Sequence, residues 1–181
     1  MVFLKLIPFT IEKNCLTFYF SFDIIIIKKR SYVLMATFTK FDYKMFNKAR
    51  QIAETSNFES FHLGCVITYK HKIIGAASNS TKTHPMQKRY NRRYRNFKKG
   101  RKPIVDSLHA EIAALSSISY PVAQQVQWKD VSIYVYRICN GKPLGHGTAR
   151  PCAACRNALR DAGIVHLYYT GEDSFIYERL I

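Results

Sequence analysis

An α/β sandwich, a sheet covered by helices, is the architecture this sequence predicts, and three observations carry it. Short β-branched and aromatic runs alternate with stretches of helical periodicity in the order α-β-β-α-β-α-β. The 181 residues are 48% hydrophobic and 22% charged, which supplies one packed core and argues against wholesale disorder. No internal repeat points to a solenoid instead.

Each element has its own signal. Asp42 is placed to cap a helix over about 43–56, where Met45, Ala49, Ile52 and Ala53 share a face. The runs 64–69 and 73–77 flank the polar Lys70-His71-Lys72 and read as a β-hairpin. After a basic segment, residues 111–118 are apolar at helical spacing through Ile112, Ala113 and Leu115, and Pro121 stops them. Residues 131–138 are β-branched and aromatic, hence a strand. Residues 152–162 form a helix ended by Gly163 at C′, and 164–169 a further apolar strand.

Charge is unevenly spread. Lys and Arg number 28 against 12 Asp and Glu, a formal net charge of +16, which points to a negative partner such as nucleotide, nucleic acid or a membrane face. Residues 82–102 carry ten of those cations and no acid, with Tyr90, Tyr94 and Phe97 interleaved. Such a block is either a solvated loop or a phosphate-binding segment. In the second case Lys88, Arg89, Arg92, Arg93 and Arg95 contact phosphates, and Tyr90 and Tyr94 stack on bases.

The first 34 residues read as an extension outside the fold, with the domain running over 35–181. Their apolar run is broken by Asp23, followed by Lys28-Lys29-Arg30, and is too short for a transmembrane helix of about 20 residues. Met35 opens an ordinary domain start and is the expected natural initiation site; a weak membrane anchor is the competing reading. Five scattered cysteines form no disulfide framework. The expected compartment is the cytoplasm, with no membrane partner.

The chemistry lies in two short motifs. His109-Ala110-Glu111 precedes one helix and Pro151-Cys152-Ala153-Ala154-Cys155 opens another, with 42 residues between His109 and Cys152. One imidazole and two thiolates make the three-ligand set of a catalytic zinc, which keeps a fourth position for water. Cysteines three apart on a first helical turn share a face, and the helix N-terminus favours their thiolate form. Glu111 is placed as a proton shuttle and not as a ligand. Two alternatives exist. A structural zinc would need a fourth ligand, for which Cys139 and His146 are available, and would leave Glu111 and Pro151 unexplained. A redox Cys-x-x-Cys would lack its usual fold context.

Together the two motifs resemble the zinc-dependent cytidine/deoxycytidylate deaminase superfamily, over roughly residues 46–177. The resemblance implies a three-layer α/β/α sandwich around a mixed five-stranded sheet. It implies one zinc per chain on His109, Cys152 and Cys155, and attack of activated water on C4 of cytosine or C6 of adenine, with Glu111 moving the protons. It also assigns the backbone N–H of Ala110 to the pyrimidine carbonyl and Asn79 to the sugar, although Asn79 also reads as a simple turn residue. Deoxycytidylate deaminases carry an insertion where the basic segment lies, and some bind a second zinc there, for which this chain offers only His84. Arg150 stands where many relatives have an acidic or small residue, and contacts substrate in this reading; Lys82 and Arg156 are further phosphate candidates. The expected reaction is deamination of a CMP/dCMP-type nucleotide. The alternative is a deaminase of cytosine or adenine within single-stranded DNA or RNA. A homo-oligomer is compatible with either reading.

Overall fold

The computed structural model describes residues 38–95, 106–139 and 147–180, with the backbone of three short strands at Thr17–Tyr19, Ile24–Ile26 and Lys142–Pro143. The chain divides into two compact units, Met1–Ala36 and Thr37–Ile181. In the first, β1 (Thr17–Tyr19) pairs antiparallel with β2 (Ile24–Ile26). The rest of the expected 1–34 extension lies outside the described residues.

The second unit begins with α1 (Lys40–Glu54), and here the sequence expectation is corrected. Thr39 is the N-cap. Its hydroxyl accepts from the Asp42 N–H while the Asp42 carboxylate accepts from the Thr39 N–H, a reciprocal capping box. Asp42 therefore sits one turn inside the helix, where it also accepts from the buried Tyr134 hydroxyl at 2.7 Å. A cap of this kind is worth about 1 kcal/mol.

The hairpin follows as β3 (His62–Tyr69) and β4 (Lys72–Ser78). Its tight turn places Lys70 and His71 at positive φ, 46° and 62°. The basic segment is not a loop throughout: residues 85–94 form α2 (Pro85–Tyr94), opened by Pro85 and capped by the His84 ring, which accepts from the Met86 N–H. Residues 96–105, including Phe97, lie outside the described residues. Next come α3 (Ala110–Ser116) and α4 (Tyr120–Gln125); α3 already ends at its Ser117 C-cap, so Pro121 does not stop it but stands in the first turn of the next helix. Then follow β5 (Ser132–Cys139), the two-residue β6 (Lys142–Pro143), α5 (Ala153–Asp161), β7 (His166–Thr170) and β8 (Phe175–Arg179). Gly163 closes α5 at φ +87°, as the sequence predicts.

The sheet runs β4-β3-β5-β7-β8, with β6 folded back on the end of β5. It is mixed: β5 and β7 are parallel, and the other neighbours are antiparallel. The fifth strand, β8, is absent from the element order read along the chain. Its apolar run, Phe175-Ile176-Tyr177, is only three residues long before Glu178 and Arg179, and the strand lies half-buried or exposed at the sheet edge.

Both faces are covered, as alternation along the strands requires. Val66, Tyr134, Tyr136 and Ile138 pack under α1 through Met45, Phe46, Ala49 and Ala53. Cys65, Ile67, Ile133, Val135 and Leu167 pack on the opposite face with Ala110, Ala114 and Leu159 of α3 and α5. Two glycines allow the helices this close. A Cβ on Gly64 would lie 2.0 Å from the Ala49 carbonyl oxygen, and one on Gly75 2.6 Å from that of Ala114. α2 lies outside this layer, with Met86 and Tyr90 against Ile112, Cys155 and Ala158. No helix among the described residues is long and apolar enough to cross a membrane.

Candidate active site

The site forms where two helix starts meet. Cys152 is the N-cap of α5 in extended conformation and Cys155 lies in its first turn, behind the buried Pro151. His109 is the N-cap of α3, but its side chain makes no capping bond. The ring faces α5 instead, with Nδ1 3.6 Å from Cys152 Sγ and 3.4 Å from Cys155 Sγ.

Those spacings suit a metal. Tetrahedral ligation with bonds of about 2.3 Å to sulfur and about 2.0–2.1 Å to nitrogen puts the two donors about 3.6 Å apart. All three donor atoms lie within 4.8 Å of one another, and among the described residues no other group of His, Cys, Asp and Glu does this. One imidazole and two soft thiolates are a zinc set with one position left open. Cys139 stands outside the cluster, and His146 lies outside the described residues.

Electrostatics agree with the geometry. A hydrogen bond from the Cys155 thiol, joined by the His109 ring, holds Cys152 down to about 3 against the effect of burial. Burial and the Cys152 thiolate push Cys155 up. Burial opposes protonation of His109, but the Cys152 thiolate and the Glu111 carboxylate outweigh it and raise its basicity.

Glu111 stands in the first turn of α3, only 2% exposed. Its Oε2 is buried without a hydrogen-bond partner. Burial pushes the carboxyl up, opposed by the charge of His109. Leaving such an atom unpaired costs about 1–3 kcal/mol, so a partner is expected from outside the chain. Beneath it Cys65 is fully buried, and its thiol is raised by burial and by Glu111.

The other expected site residues take varied positions. Ala110 is fully buried at the start of α3. Asn79 is 4% exposed, and its side chain is well occupied: Oδ1 accepts from Ser56 Oγ and the Leu63 N–H, and Nδ2 donates to the Phe61 carbonyl. It pins the turn before β3. Arg150 is turned to the sheet edge, where Nε and Nη2 donate to both Glu178 oxygens at 2.7 Å. Its guanidinium is thus paired with β8 and not with the ligand cluster. Arg156 is half-buried on α5, and Lys82 is exposed before α2.

Along α2, Lys88, Arg89, Arg92 and Arg93 are exposed, while Arg95 is half-buried at the C-cap. Tyr90 and Tyr94 stack on each other at 5.9 Å, and the Tyr90 hydroxyl donates to Asp161 at 2.7 Å. These rings make internal contacts that the interleaved pattern does not foretell.

Three residues went unnoticed in the sequence because its cations dominate that segment. Gln87 and Asn91 are fully buried, four apart on the inner face of α2, and Asp106 follows the segment. They hydrogen-bond toward His109. Helical spacing of two amides among charges was the available signal.

Comparison with known proteins completes the picture. No curated protein sequence matches the chain significantly. Similar solved structures include the dCMP deaminase of cyanophage S-TIM5 in apo form, 17% identical over 69% of this chain and 78% of that one, with a TM-score of 0.43. Two forms of Acinetobacter baumannii RibD are 20% and 22% identical over 71% of this chain, each with a TM-score of 0.37. The chain spans 27% of the RibD length. Residues 39–170 match the family described as "Cytidine and deoxycytidylate deaminase zinc-binding region", a span that includes both helix starts and Glu111. The protein is thus a member of the zinc-binding cytidine and deoxycytidylate deaminase family, and with it a hydrolase.

Proposed function

We propose that this protein deaminates a cytosine mononucleotide of the CMP/dCMP type, consuming water and releasing ammonia and the uracil nucleotide. The observation that carries the reading is Glu111, a buried carboxyl with an unpartnered oxygen beside a three-donor cluster. A protein that merely used zinc as a staple would have no use for it.

His109, Cys152 and Cys155 hold the metal, which when bound supplies the Lewis acid that makes water nucleophilic near neutral pH. Glu111 accepts the water's proton at Oε2, delivers it to the ring nitrogen and serves the departing amine. Burial raises its pKa, the direction that favours a carboxyl able to hold and return a proton. The four cysteines among the described residues are free thiols, which is compatible with a cytoplasmic role in nucleotide metabolism.

A second reading, deamination within single-stranded nucleic acid, draws on the outer face of α2. Lys88, Arg89, Arg92 and Arg93 project there together. The mononucleotide reading is preferred because Tyr90 and Tyr94, the candidate base platforms, stack on each other and Tyr90 is tied to Asp161. The test is ammonia release from cytidine, CMP, dCMP, single-stranded DNA and tRNA by the purified zinc-loaded protein. Turnover of CMP or dCMP above all others supports the proposal. Turnover of a polynucleotide alone, weakened by raised salt and by Arg89→Gln/Arg92→Gln/Arg93→Gln, would replace it with the second reading. No ammonia from any of them would remove both.

A further inference from the structure

The basic segment has an inner face with a task of its own. His109 must turn its ring to the sulfurs, so it cannot use that ring to cap α3. Its backbone N–H lies before the helix and finds no partner within it. Gln87 Oε1 accepts that N–H at 3.1 Å from across 22 residues. Gln87 is fully buried, so this amide has no access to solvent as a substitute.

The amide is not free to flip. With Oε1 committed to His109, its Nε2 donates to Asn91 Oδ1 at 3.0 Å. Asn91 is then left to donate, and Nδ2 does so to Asp106 Oδ1 at 2.8 Å. The Asp106 carboxyl oxygen accepts from Asn91 Nδ2, which fixes the sense of the whole chain. Every link donates the same way, from the His109 N–H at one end to the Asp106 carboxylate at the other.

The base of the excursion is also closed. Ser80 and Leu108 exchange both backbone hydrogen bonds, at 3.0 and 3.1 Å, and the Leu108 N–H donates as well to the Lys82 carbonyl at 2.8 Å. That bridge fixes the residue before His109 but leaves rotation about His109 itself. On its other side α2 is tied to α5, the cysteine helix, by Tyr90 and Asp161. α2 therefore touches both halves of the ligand set.

We propose that Gln87 is a positioning residue for the metal ligand His109, oriented by a buried amide chain through Asn91 to Asp106. The proposal rests on the zinc reading of His109, Cys152 and Cys155. Gln87 acts through the His109 N–H and fixes the backbone that aims the imidazole. Partners outside the ligand shell typically change metal affinity by about 10–100-fold when removed.

The test uses the full chain loaded with zinc, with release to excess chelator followed optically, and the cobalt(II) form as a spectroscopic probe. Gln87→Met keeps the shape of the side chain and removes the acceptor. It should fold, release zinc about tenfold faster or more, and shift the cobalt absorption bands. Its kcat should fall while KM changes little, since the substrate pocket keeps its own contacts. Gln87→Glu keeps an oxygen for the His109 N–H and should recover part of the slow release. If Gln87→Met folds with wild-type release and an unchanged cobalt spectrum, the proposal is overturned. Should Gln87→Met fail to fold, Asp106→Asn decides. Faster zinc release at near-native Tm supports the chain, and wild-type release overturns it. Failure of the zinc reading itself is separately visible, because wild-type protein would then bind no zinc or cobalt at this site.

Discussion

Cys152 and Cys155 are held by one helix turn, whereas His109 is held by contacts from three separate segments. The thiolate half needs only Pro151, an extended N-cap and a following helix, all contiguous in sequence. The imidazole half needs the Ser80–Leu108 bridge, Gln87 from α2, and the packing of α3 on Gly75 of β4. A metal site assembled this way has a rigid local jaw and a second jaw whose aim depends on the tertiary fold. Substitutions far from the metal are therefore expected to act through His109 more than through the cysteines.

The largest effect should erase that difference. Cys155→Ala and His109→Ala each remove one of three ligands, and each should take zinc from about one equivalent per chain to near none, as measured by elemental analysis. If either variant kept full zinc, the ligand set would be redrawn.

The asymmetry itself appears one step down. Gly75→Ala drives a Cβ into the Ala114 carbonyl under α3, and Gly64→Ala drives one into the Ala49 carbonyl under α1. Both should lower stability by about 1–3 kcal/mol, read from denaturant midpoints. Only Gly75→Ala should also speed zinc loss at a temperature where the protein stays folded. Equal zinc retention in the two variants would show that the His109 half is no more fold-dependent than its partner.

This contrast also explains what could be read from the sequence. The Cys-x-x-Cys on a helix start is a local pattern, and so are the hairpin and Gly163, so periodicity and spacing reach them. The cap of α1 was misplaced by one turn because Thr39 and Asp42 each serve as cap partner to the other, and composition does not rank them. β8 is not legible because its apolar run, Phe175-Ile176-Tyr177, is three residues long and gives way at once to Glu178 and Arg179 at the sheet edge. Gln87 and Asn91 escaped because ten cations in residues 82–102 drew the reading outward, while burial of two amides is a tertiary fact.

A smaller effect lies before the cysteines. Arg150 and Glu178 form a bidentate pair, with side chains 42% and 16% exposed. Burial works against the Glu178 carboxylate, but Arg150 outweighs it and holds its pKa below the ordinary value. The pair's stabilisation is therefore full above the usual Glu range and is lost as pH falls through the lower folded value. Glu178→Gln should cost a few tenths to about 1 kcal/mol at pH 7 and flatten stability against pH below about 4.5. An unchanged acid limb would mean that the pair contributes nothing. The smallest effect concerns the first unit: a chain starting at Met35 should keep Tm, zinc and turnover near those of the full chain, and loss of folding would contradict that.

Glu111 is a carboxyl that works beside the metal without holding it, and Glu111→Gln examines this directly. The variant keeps size and burial but cannot take a proton. Zinc content and ammonia release are to be measured on the same preparation. About one zinc per chain, with turnover of CMP or dCMP lowered by at least about 10²–10⁴-fold, is the predicted result. Near-wild-type turnover with zinc in place would show that Glu111 is not the proton shuttle and would contradict the account.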